Sequence, residues 1–113
     1  MIEETIIAYL NKALDVPAYL ERPESPGSSY VLVEKTGSGV SDHISSGTFT
    51  LQSYAGSLYA AASLNDKVKK AMFSAVSEPE IASVSLNSDY NFTDPSTEEY
   101  RYQAVFDIVH YDC

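Results

Sequence analysis

Thr48-Phe49-Thr50-Leu51-Gln52-Ser53-Tyr54-Ala55-Gly56-Ser57-Leu58-Tyr59-Ala60-Ala61-Ala62 is the stretch in which this chain changes its period. Phe49 and Leu51 fall on one side and Thr48, Thr50 and Gln52 on the other, the alternation of a strand with one buried face. Gly56 then breaks the pattern and Ser57 can cap a helix, after which Leu58, Ala61, Ala62, Val68, Met72 and Ala75 recur at helical spacing to about Val76. A strand thus hands directly to a helix whose alanines let it lie close to a sheet. Lys67, Lys69 and Lys70 sit toward the end of that helix, where its dipole favours positive charge, and Pro79 follows it.

Upstream, Tyr30 begins YVLVEKT, β-branched and aromatic enough for a strand over residues 30–36, and Pro23-Glu24-Ser25-Pro26-Gly27 before it is turn chemistry. Gly37, Ser38, Gly39, Val40, Ser41, Asp42, His43, Ile44, Ser45, Ser46 and Gly47 hold three glycines and four serines, too little apolar material to pack, and are expected to form a mobile loop closing a long hairpin. At the start of the chain, Ile2, Ile6, Ile7, Leu10, Ala13 and Leu14 share one side of a helix that carries Glu3 and Glu4 in its first turn. Val16-Pro17 ends it, and a short extended piece is expected over residues 18–21.

Downstream, residues 81–90 read as a strand with Ala82, Val84 and Leu86 inward. Residues 100–111 read as a longer one, with Tyr102, Ala104, Phe106 and Ile108 on one face and Arg101, Gln103, Val105, Asp107 and Val109 on the other. The polar, proline-containing segment between them suits an antiparallel hairpin. The expected fold is α+β: a mainly antiparallel sheet of four to five strands packed by two helices, in the order α-β-β-β-α-β-β.

A chain of 113 residues, 44% of them hydrophobic, can bury one core and not two, so residues 1–113 are expected to form a single domain. With Asp+Glu 16 against Lys+Arg 7, the net charge of -9 argues against a grip on nucleic-acid phosphates. The lone cysteine, Cys113, can form neither an intramolecular disulfide nor a CxxC metal knuckle, which fits an intracellular origin. Glu3 and Glu4 stand where a secretory signal would carry Lys or Arg, and no apolar run approaches a membrane span, so a soluble protein with no membrane partner is expected. Asn91-Phe92-Thr93 matches a glycosylation sequon, which is idle without a secretory route.

Catalytic, cofactor and metal readings find little support. Asp42-His43 and Ser45-Ser46 contain the residue types of a triad, but neighbours in sequence do not converge as nucleophile, base and orienting acid must. His110, near the end of the last strand, reads as a boundary residue. Gly37-Ser38-Gly39 lacks the spacing and lysine of a phosphate loop. The run from Asp89 fails as a calcium loop at Thr93, Asp94 and Tyr100, and two separated histidines cannot furnish a zinc site. Nine tyrosines, with Tyr100 and Tyr102 flanking Arg101, invite a base-stacking platform, but the acidic balance favours strands and protein interfaces instead.

Two helices cannot wrap both faces of such a sheet. The face carrying Arg101, Gln103, Val105, Asp107 and Val109, together with any unpaired strand edges, is therefore a candidate subunit interface.

The order of these elements resembles that of the tail terminator, or tail completion, proteins of siphophages and prophages, a family of minor tail proteins. The resemblance runs over nearly the whole chain and is carried most by 48–55 leading into Ser57-Leu58-Tyr59-Ala60-Ala61-Ala62 and Asn65-Asp66-Lys67-Val68. Val16-Pro17-Ala18-Tyr19-Leu20-Glu21, Tyr30-Val31-Leu32-Val33-Glu34-Lys35 and the stretch from Tyr100 to Ile108 add to it. The resemblance implies a non-enzymatic virion subunit that forms a ring, typically a hexamer, at the head-proximal end of the tail. Its implied partners are further copies of itself, with the segment Gly37 to Gly47 ordered by a neighbouring copy as an interface loop, the major tail tube protein and a head completion or connector protein. DNA would pass through the lumen without specific binding, no cofactor is implied, and assembly would take place in the host cytoplasm. Another head-tail joining protein of the neck shares this logic, and a small ligand-binding α+β domain is the more distant alternative.

Overall fold

A computed structural model describes residues 2–41, 44–97 and 99–111. Its elements are α1 (Ile2–Ala13), β1 (Ala18–Tyr19), β2 (Tyr30–Ser41), β3 (Ile44–Ala55), α2 (Leu58–Ser74), a 3₁₀ turn (Ala75–Ser77), β4 (Ile81–Asn91) and β5 (Tyr100–Tyr111). The five strands form one sheet in the order β1-β2-β3-β5-β4. Only the β1–β2 pair is parallel. The fold is thus α+β, with the element order α-β-β-β-α-β-β.

The change of period at Gly56 has a local cause. Ser57 has extended backbone (φ -148°, ψ 163°) and its hydroxyl accepts from the Ala60 amide at 3.1 Å, satisfying one of the donors that a helix start leaves open. α1 is tied to the sheet by another side chain standing in for backbone. Asn11 accepts from the Ala18 amide at 3.1 Å and donates to the Ala18 carbonyl at 3.2 Å, so that β1 is bonded on both sides.

Both helices lie on one face of the sheet. Ile6 and Leu10 of α1 and Val68 and Met72 of α2 close over Val31, Val33, Phe49, Leu51, Phe106 and Ile108, all buried. Each such side chain is worth roughly 1.5–3 kcal/mol over its exposed state, so this single layer holds the molecule together. In β5 the alternation assigns Ala104, Phe106 and Ile108 to the core side, where they are found fully buried. Tyr102 shares that face and is half-buried.

Two sequence readings are corrected. Residues 37–41 and 44–47 are not a loop. They continue β2 and β3 as a paired arm, from Gly37 opposite Thr48 to Ser41 opposite Ile44, and Asp42 and His43 lie outside the described residues. The arm is held because β3 pairs with β5 along its whole length, from Ile44 opposite Tyr111 to Gly47 opposite Ile108. Backbone hydrogen bonds need no apolar side chains, so glycine and serine do not prevent pairing once a third strand supplies the template. In β4, Ala82 does not face inward. The register shifts between Ile81 and Ser83, turning Ala82 out and leaving Ile81 buried, as a bulge does.

Candidate subunit interface

Twelve-residue strands at roughly 3.3 Å per residue reach about 40 Å, whereas the 17 residues of α2 reach only about 25 Å. The molecule measures 44 × 25 × 23 Å accordingly, and the sheet outruns the helices at the end formed by the arm. There Val40, Ile44 and Tyr111 are exposed. A recess of about 500 Å³ opens where the helix layer stops, lined by Ile2, Glu3, Thr5, Lys35, Ser45, Glu80 and His110 among others. His110 is not a boundary residue: it lies on the core side, 6% exposed, and its Nε2 has no hydrogen-bond partner among the described residues. Ser45 stands opposite it across β3 and β5, but no hydrogen bond joins these two side chains, and Ser46, next along the strand, points to the other face.

The sheet has two open edges. β4 forms one of them along its full length. On the other side β1 covers only Val31 and Leu32, so that, among the described residues, β2 is bare from Val33 onward. β5, by contrast, is an inner strand between β3 and β4, so the candidate residues on it offer side chains and no free backbone edge.

Those side chains divide into two groups on the face away from the helices. Arg101 and Gln103 are already engaged. Arg101 donates to the Phe92 carbonyl and to the Tyr54 hydroxyl, each at 2.7 Å, and its guanidinium lies 5.6 Å from the Tyr54 ring centre. Gln103 is buried, accepting from Gln52 at 2.9 Å and donating to Tyr90 Oη. Tyr54 stacks on Tyr30 with ring centres 4.6 Å apart, and Arg22, paired with Glu99 at 3.0 Å, lies 5.9 Å from both rings. Both arginines of the sequence thus converge on Tyr54 and close over this end of the face. Burial raises the pKa of the Tyr30 hydroxyl, which has no hydrogen-bond partner among the described residues.

Toward the arm the face is open. Val105 and Val109 are half-buried, and Asp107 is exposed while accepting from Thr48 at 3.0 Å and Asn87 at 3.2 Å. Sequence reasoning missed the Arg22–Tyr30–Tyr54–Arg101 cluster, because it joins three separated segments that only the sheet brings together.

The remaining sequence candidates do not assemble. Tyr100 and Tyr102 lie on the helix side, opposite to Arg101, which dissolves the stacking platform. Lys67 and Lys70 are exposed, while Lys69 turns to Asp89 at 2.8 Å and Asp66 at 3.4 Å. Among the described residues no group of three or more His, Cys, Asp or Glu could hold a metal ion, and no helix is long and apolar enough to cross a membrane. Compared with known proteins, the chain matches no family model and no curated protein.

Proposed function

We propose that this chain is a structural subunit of a phage virion, a tail terminator or tail completion protein that assembles as a ring, of hexamer type, on the head-proximal end of the tail tube. The observation that carries the reading is a sheet that outruns its own helices and ends in two unlike open edges. An exposed edge is a template for another chain, and unlike edges on opposite sides of one subunit allow a contact that repeats from copy to copy. The element order that carries the family resemblance agrees with this role.

In such a ring the partners are further copies of the chain, the major tail tube protein on one side and a head completion or connector protein on the other. The net charge of -9 suits a lumen through which DNA slides without adhering. Light scattering at high protein concentration, alone and with the tail tube protein, should give a mass well above one subunit. A chain that stays monomeric even with the tail tube overturns the proposal. Capture of the connector but not of the tube would instead favour a head-tail joining role.

A further inference from the structure

We infer that neighbouring copies join edge to edge, with β4 of one copy lying antiparallel to residues 33–41 of β2 in the next. The inference rests on the ring reading above and names its junction.

Strand direction comes first. β2, β3, β5 and β4 alternate in direction across the sheet, so β2 and β4 run opposite ways. A copy placed beside the first in the same orientation brings its β2 antiparallel to the first copy's β4, and the alternation continues across the junction. Pairing β4 with β4 stops at a dimer and leaves residues 33–41 bare. The unlike pairing covers both edges with a single contact that repeats from copy to copy.

Charge agrees. Asp89 is the one charged residue of β4, and it lies on the helix side, where Lys69 pairs with it. On the bare part of β2, Glu34 lies on the opposite face, while Lys35 shares the face of Asp89. Residues directly opposed across an antiparallel pair share a face, so the two carboxylates cannot meet in any register, which removes the like-charge penalty. Proline, a usual guard of open edges, is absent from both segments. The bulges of β4 leave residues 83–86 and 88–91 in regular register to pair.

The test is thiol cross-linking of the full chain in a Cys113→Ser background, using a flexible bis-maleimide, with native mass spectrometry of each variant. Gly37→Cys combined with Ser85→Cys, two positions on the face away from the helices, should give a ladder of covalent oligomers ending at the ring mass, and each single variant should give none. Dimers from Ser85→Cys alone would overturn the inference in favour of a two-fold contact. A ring seen by mass without a ladder overturns this junction and leaves the ring reading standing. Monomers throughout, with the tail tube protein present as well as without it, overturn both.

Discussion

Lys69 Nζ and Asp89 Oδ2 lie 2.8 Å apart, joining α2 to the edge strand β4, and Asn65 donates to the same carboxylate oxygen at 2.9 Å. One carboxylate thus serves a half-buried ammonium and a fully enclosed amide, making it the main polar tie between the helix layer and the outermost strand. The hydrogen bond from Lys69 holds the Asp89 pKa below its usual value, and the same bond raises that of Lys69.

Asp89→Ala should destabilise the fold by about 1–3 kcal/mol at pH 7, because the buried Asn65 amide loses its acceptor. A carboxylate whose pKa is depressed by folding stabilises above its unfolded value, near 4, and loses that contribution as pH falls through the lower folded value. For the raised Lys69 the contribution is full below its unfolded value, near 10.4, and fades as pH rises through the folded one. Denaturant midpoints of wild type and Asp89→Asn should therefore differ by a constant amount between about pH 5 and 9 and draw together as pH falls through the depressed folded value, below about 4.

Gly47 lies beneath the Phe49 ring, and a Cβ there would stand 2.7 Å from Phe49 Cε1. Phe49 is fully buried and cannot swing aside. Gly47→Ala should cost about 1–3 kcal/mol by overpacking, and Phe49→Leu in the same chain should relieve part of the strain. Thermal melts of the two single variants and the double variant measure this coupling.

Ser57→Ala removes the acceptor for the Ala60 amide at the start of α2. A loss of about 0.5–2 kcal/mol is expected, and Ser57→Asp should restore most of it. Urea unfolding followed by circular dichroism would report both.

Ser85→Lys places a charge on the exposed surface of β4 without touching the core. Monomer stability should stay within about 0.5 kcal/mol of wild type, while the assembled mass falls toward one subunit. Paired melts and light scattering separate the two effects.

Sequence reading and structure agree where side chains carry a period. The alternation of Phe49 and Leu51, the cap at Ser57, the helical spacing from Ala61 to Met72 and the buried face of β5 follow from each residue and its near neighbours. They part where pairing is non-local. Ala82 was expected inward because an ideal strand has no bulge, yet the shift after Ile81 is set by where β5 lies.

The type and order of the elements, and which face of β3, β5 and α2 is apolar, are legible in the residues alone, since periodicity and capping are local properties. It takes the folded sheet to make the glycine- and serine-rich residues 37–41 and 44–47 paired strands, to bring Arg22 and Arg101 onto Tyr54, and to leave β4 and the far half of β2 as edges. The reason is physical: glycine carries no side-chain period, and a backbone hydrogen bond between distant segments leaves no mark on the residues around it.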